Sequence, residues 1–200
     1  MNKHFNRTNL LALTTSAIMI ALASVLAAFP IFKMPQGGSL TLASMLPIMI
    51  VGVIFGLKWG LFSSVLFAGV QLIQAVIEGN VFVWCTTAFA VVICVIFDYV
   101  VPFGILGFSG IAKPKEGEKI NLPKVLVTFG ILMFLRFLCH FITGMTIWGQ
   151  WDDGFWGAFI YSMTYNGGYM LPEAIFTLAI TALLFSSSEI GKIIAKTNKK

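Results

Sequence analysis

The chain has 200 residues, of which 58% are hydrophobic and 10% charged, with a mean hydropathy of +0.91. Soluble domains carry about 25% charged residues, so the composition excludes a water-soluble fold and specifies an integral membrane protein. The net charge of +5 is spread over loops and termini, as the positive-inside rule requires and as a nucleic-acid patch would not be.

The first apolar run, Leu10 to Phe29, is too long for a signal-peptide core and lacks a convincing cleavage site, so it reads as a membrane span. About 20 residues cross the hydrocarbon. On that length the sequence predicts an all-α protein with six transmembrane helices in a single membrane domain. After the first, the spans run from Leu40 to Phe55, Trp59 to Ile77, Phe82 to Ile111, Leu122 to Ile147 and Phe155 to Phe185. The second is short, and Gly56 to Gly60 must turn tightly. The fourth and sixth are long enough to tilt, unwind or kink at Pro102 or Pro172. The apolar runs leave no room for a catalytic or nucleotide-binding domain outside the bilayer.

In the first span, Ala17 and Ala21, flanked by Ser16, Ser24 and Ala28, make a stripe of small residues. Such a stripe lets another helix approach closely, although internal packing is the commoner use of that spacing. Met34 to Ser39 forms a loop whose glycines permit positive φ and a tight re-entry.

Sorting Lys and Arg by alternating sides is lopsided. Lys3, Arg7, Lys58, Lys113, Lys115, Lys119, Lys124, Lys192, Lys196, Lys199 and Lys200 fall on one side, Lys33 falls alone on the other, and Arg136 lies within a span. Both termini are therefore expected in the cytoplasm. The same sorting puts Trp84, Trp148, Trp151 and Trp156 toward the outer face and Trp59 inside. That distribution predicts an aromatic chamber opening outward, unless two interfacial belts are unevenly sampled.

Polar groups are dense from Arg136 to Glu173. Arg136 and His140, four residues apart, share a helix face. At about 1.5 Å per residue, His140 lies about 24 Å above the cytoplasmic boundary, Arg136 about 18 Å, Asp98 about 22 Å and Glu173 about 20 Å. Lipid exposure of each would cost about 2.5–3.5 kcal/mol, so the four should face inward, find partners and form a ligand site. Arg136 and Glu173 are expected to pair across the fifth and sixth spans. A polar cluster that only locks the helices together remains the alternative.

Gly107-Phe108-Ser109-Gly110 has the G-x-S-G spacing of intramembrane serine proteases. Ser109, however, lies near the cytoplasmic boundary, about 20 Å below His140, far outside the reach a nucleophile and base need. Cys85, Cys94 and Cys139 are odd in number, lack ligand spacing and read as small core hydrophobes. No Walker motif, metal-ligand constellation or dinucleotide fingerprint appears, so no cofactor or metal is expected and the chain cannot power transport by hydrolysing ATP itself.

Four motifs carry a family resemblance from the first span to the sixth. They are Pro35-Gln-Gly-Gly-Ser39, Asp98-Tyr99, Arg136-x-x-x-His140-Phe-x-x-Gly144-x-x-x-Trp148, and Tyr161-Ser162-x-x-Tyr165-Asn166-x-x-Tyr169-x-x-Pro172-Glu173. The chain resembles the thiamine-specific substrate-binding subunit (S component) of energy-coupling factor vitamin transporters. The resemblance implies a multi-pass, non-enzymatic protein of a bacterial plasma membrane that captures thiamine from outside. Its implied partners are a transmembrane coupling subunit and two cytoplasmic ATPases, with Ala17 and Ala21 meeting the coupling subunit. It also implies pocket positions at Asp98, Tyr99, His140, Trp148, Tyr161 and Asn166, with Glu173 a further substrate-binding candidate. Some members place a Trp and a Glu near the start of the second helix, where this chain has Gly38 and Leu42; Trp84 or Glu173 could compensate. An S component for another vitamin or a thiamine precursor, and a proton-coupled carrier working through Asp98, His140 and Glu173, are the alternatives.

Overall fold

The computed structural model describes residues 7–79, 85–149 and 154–198. Helices dominate it: α1 Arg7–Ala28, α2 Leu46–Phe55, α3 Leu57–Glu78, α4 Ala88–Ala112, α5 Leu122–Trp148, α6 Gly154–Ser186 and α7 Ser188–Asn198. Five of them, α1, α3, α4, α5 and α6, are long and apolar enough to cross a membrane. Their outward residues, such as Ile18, Val25, Ile73, Val127, Ile160 and Leu183, are large, apolar and exposed, as lipid-facing positions should be.

The second span departs from expectation. Leu40 lies in a hairpin, not a helix: β1 (Phe32–Lys33) pairs antiparallel with β2 (Ser39–Leu40), Phe32 opposite Leu40. The helix starts only at Leu46, with Pro47 in its first turn. In the intervening chain Thr41 N and Oγ1 donate to Glu173, Ser44 N donates to Thr41 Oγ1, and Ala43 takes a positive φ of 55°. Ten helical residues rise about 15 Å, half of a hydrocarbon core of about 30 Å.

That short helix is the strut of the bundle. Ile48, Met49, Val51 and Val53 are fully buried, and α2 packs on α1, α3, α7 and the C-terminal half of α4. A helix apolar all round belongs inside other helices. Its turn into α3 is made by one residue, Gly56, whose φ of 94° favours glycine.

α4 changes pitch along its length. A π-helical stretch, Val95–Val100, leads into α-helical Val101–Gly104 and 3₁₀ Ile105–Ala112. Its expected start at Phe82 lies outside the described residues; the visible helix begins after Thr87, whose side chain accepts from Ala90 N at 3.1 Å. Gly107 and Gly110 press against the α3 backbone at Leu61 and Leu57, where a Cβ would overlap main-chain atoms. Ser109 is completely buried. The G-x-S-G sequence is thus a helix-packing seam.

α5 and α6 run where the sequence places them, α6 carrying Pro172 inside the helix. A helix the span count did not include, α7, follows at Ser188. It buries Ile194 and packs Ile190 against the core, while Lys192 pairs with Glu189 at 2.7 Å on its outer side.

Candidate binding site

The cavity lies between the β1–β2 segment, α3, the middle of α4, the C-terminal half of α5 and the N-terminal half of α6. The atom-free space, mouth and adjoining solvent included, is about 960 Å³. Asp98, Tyr99, His140, Trp148, Tyr161 and Asn166, all expected from the sequence, line it together.

Two of its walls are built on π-helical turns. Asp98 and Tyr99 lie in Val95–Val100, and Trp148 ends a second such stretch, Gly144–Trp148. A π-turn adds a residue to the helical repeat and re-aims the side chains around it, which is why such turns recur at functional sites. Asp98 is the hub. Its carboxylate accepts from Thr143 Oγ1 at 2.5 Å, lies 2.9 Å from His140 Nδ1, and accepts from Trp148 Nε1 at 3.3 Å. Donors thus reach both of its oxygens, and the group lines the cavity.

Asn166 braces the next layer. Its Nδ2 donates to the carbonyls of His140 and Ser162, each at 3.1 Å, and its Oδ1 accepts from Tyr169 at 3.0 Å. Gly144 permits this approach, since a Cβ there would meet Asn166 Nδ2 at 2.7 Å. Tyr161 and Tyr165 stack with centroids 5.4 Å apart, and Tyr165 meets Tyr169 edge-on at 6.1 Å. Gln36 straps that stack: its amide N–H donates to Tyr165 OH at 2.9 Å, and its side-chain oxygen accepts from Tyr161 OH.

The chamber is aromatic, but through tyrosines more than tryptophans. Trp148 lines it; Trp156 is 68% exposed and clusters with Phe155 and Phe159 on the outer surface of α6. Trp84 and Trp151 lie outside the described residues.

The expected Arg136–Glu173 pair does not form. Glu173 is 1% exposed, does not line the cavity, and accepts from both Thr41 N and Thr41 Oγ1 at 2.6 Å. Thr41 Oγ1 in turn lies 2.8 Å from Ser44 Oγ. Glu173 therefore secures the irregular segment between β2 and α2. Arg136 lines the cavity with its guanidinium carbon 5.0 Å from the Phe103 ring centre. It is 6% exposed, its Nε is buried without a hydrogen-bond partner, and it makes no ion pair among the described residues. Buried donors left in that state cost free energy until something accepts from them.

The departure at Gly38 and Leu42 also has a structural reason. A Cβ on Gly38 would sit 2.5 Å from Tyr169 Cε1, so the Tyr169 ring already fills the space a larger residue would need. Leu42 is 52% exposed and is not among the residues lining the cavity. Gln36, Thr143, Tyr165 and Tyr169 complete the site beyond the residues expected. Tyr165 and Tyr169 carried a signal, falling with Tyr161 at four-residue spacing on one face of α6. Gln36 carried none, because its place depends on the hairpin. Among the described residues no cluster of three or more His, Cys, Asp or Glu is arranged to hold a metal ion.

The model of the family described as "Thiamine transporter protein" (Thia_YuaJ) matches residues 13–192. The chain belongs to the thiamine transporter protein family. That is a family of membrane transporters, not of enzymes, and membership makes the chain a multi-pass membrane protein. Thiamine transporter ThiT of Bacillus subtilis (strain 168) is 32% identical over 189 residues, spanning 90% of this chain and 92% of the relative. Thiamine transporter ThiT of Lacticaseibacillus paracasei is 24% identical over 98 residues, or 46% of this chain and 49% of the relative. Among solved structures, ThiT from Listeria monocytogenes superposes with a TM-score of 0.67 at 22% identity, over 92% of this chain and 97% of that one. The fold is therefore shared with that structure over nearly the whole chain.

Proposed function

We propose that this chain is the thiamine-binding S component of an energy-coupling factor importer. The observation that carries the reading is the Asp98 carboxylate, set in an aromatic cavity of a thiamine-transporter-family protein and held by Thr143, His140 and Trp148. Thiamine has a permanently cationic thiazolium that no pH change neutralises, and a flat aminopyrimidine with donor and acceptor edges. Asp98 balances the cation, and the Trp148 ring adds a π face worth about 0.5–2 kcal/mol to it. The buried Nε–H of Arg136, which has no partner, is available to donate to an acceptor edge of the pyrimidine. Tyr99, Tyr161, His140 and Asn166 supply the remaining directional contacts, while Glu173 supports the site from behind through Thr41.

In this reading six segments cross the bilayer, α2 and the β1–β2 segment together making the second crossing. Both termini are cytoplasmic and the cavity opens outward, in a bacterial plasma membrane. Ala17 and Ala21 are exposed on α1 whereas Ser16 and Ala23 are buried, which supports a small-residue face free to meet a transmembrane coupling subunit. Two cytoplasmic ATPases then supply the energy that this chain cannot. The test is thiamine uptake in cells with and without those ATPase subunits. Uptake should require them; uptake that survives their loss and collapses with the proton gradient would identify a secondary carrier instead.

A further inference from the structure

The sorting of basic residues leaves Lys33 alone on the outer side, against the bias that keeps positive charge in the cytoplasm. The structure gives it a place. Lys33, on β1, forms an ion pair with Glu78, the last residue of α3, and both line the cavity. Their side chains are 40% and 47% exposed, against 11% for both His140 and Asp98. The exposures rank the cavity from a deep, dry carboxylate to a wet ion pair at its mouth. Between the two carboxylates the α3 wall is neutral: Gln71 donates to Gln74 at 2.7 Å, and Gln74 to the Ser24 carbonyl at 3.4 Å.

In the binding mode proposed above, a cationic ring at Asp98 would have its tail directed toward that mouth. In thiamine the tail is a hydroxyethyl group on the thiazolium, and esterification there turns a neutral end into an anionic phosphoryl. We propose that Lys33 and Glu78 form a phosphoryl-discriminating subsite, Lys33 attracting the anionic tail and Glu78 opposing it. The inference rests on the thiamine reading above and adds a determinant of preference between the free vitamin and its phosphate ester. As an ion pair the two charges nearly cancel toward a neutral tail, so thiamine itself meets little net field. A phosphoryl group competes with Glu78 for Lys33, and the outcome sets the preference.

The experiment titrates thiamine and thiamine monophosphate against the purified full chain, Glu78→Gln and Lys33→Gln. The readout is the ratio of the two dissociation constants, which cancels any general weakening of the site. Glu78→Gln frees Lys33 and should lower the monophosphate-to-thiamine ratio about fivefold, while Lys33→Gln leaves Glu78 unopposed and should raise it by about the same factor. Both shifts should shrink at high salt, because the pair is exposed. A ratio unchanged in both variants, or equal weakening of both ligands, would overturn the proposal and make the pair a clamp between hairpin and helix. A parent that binds neither ligand would overturn the thiamine reading itself, a result separable from an unmoved ratio.

Discussion

Asp98→Asn removes one charge and almost no volume, and the structure says what should follow. The Asn oxygen can keep the Thr143 and His140 side of the site, at 2.5 Å and 2.9 Å. Its NH₂ then faces the Trp148 indole N–H, 3.3 Å away, two donors without an acceptor between them. Rotating the amide instead turns the NH₂ toward His140 and Thr143, where the Thr143 hydroxyl can accept it only by donating its own proton to the His140 carbonyl, 3.0 Å away. The ligand's cation meanwhile loses its only nearby carboxylate among the residues described deep in the cavity. Truncating one partner of a buried charge pair typically costs about 2–5 kcal/mol, or roughly 30-fold to several-thousand-fold in affinity. Quenching of tryptophan fluorescence gives the dissociation constant, and thermal unfolding of the ligand-free variant checks that the helices remain packed. A neutral analogue keeping the aminopyrimidine but lacking the thiazolium charge should lose much less than thiamine does. Thiamine binding as tight as the parent's, or equal losses for both ligands, would refute cation recognition by Asp98.

Other outcomes follow from the same geometry. Glu173→Gln should destabilise the protein by about 1.5–3 kcal/mol through weakened bonds to Thr41. In a double-mutant thermal-stability cycle its coupling to Arg136→Met should stay well below the roughly 3–5 kcal/mol cost of breaking a buried ion pair; coupling of that size would restore the pairing. Replacing Ala17 and Ala21 with Leu should leave thiamine binding by the isolated subunit near normal but abolish uptake, because a docked helix needs close backbone approach; intact uptake would place the coupling contact elsewhere. With the native cysteines replaced, Lys33→Cys should react with an impermeant thiol reagent in whole cells and Lys115→Cys should not, and the reverse pattern would invert the topology.

What the sequence showed of this protein divides along physical lines. The lengths of α1, α3, α5 and α6 and the common depth of Asp98, Arg136 and His140 were legible, because both follow from the rise of a helix and the cost of polar groups in lipid; Trp148, Tyr161 and Asn166 were legible through the family resemblance. The Arg136–Glu173 pairing was inferred from equal depth, but depth leaves rotation about the helix axis open. Glu173 instead meets Thr41, which is reachable only because the chain before α2 is not helical. The same irregular segment hid the half-length of α2 and the place of Gln36. Hydropathy reads apolar length and is silent on whether Leu40 to Met45 coils or hydrogen-bonds to a distant side chain. Gly38 looked like a lost pocket residue, and only the Tyr169 ring lying against it explains its size.

The central claim is that the Asp98 cavity holds thiamine. Its most direct test is mass spectrometry of the small molecule released from protein purified out of cells grown on a full vitamin mixture. The account predicts thiamine at about one per chain in the parent and a strongly reduced amount from Asp98→Asn. Stoichiometric recovery of a different vitamin, or a folded parent that retains no thiamine when it is supplied, would contradict it.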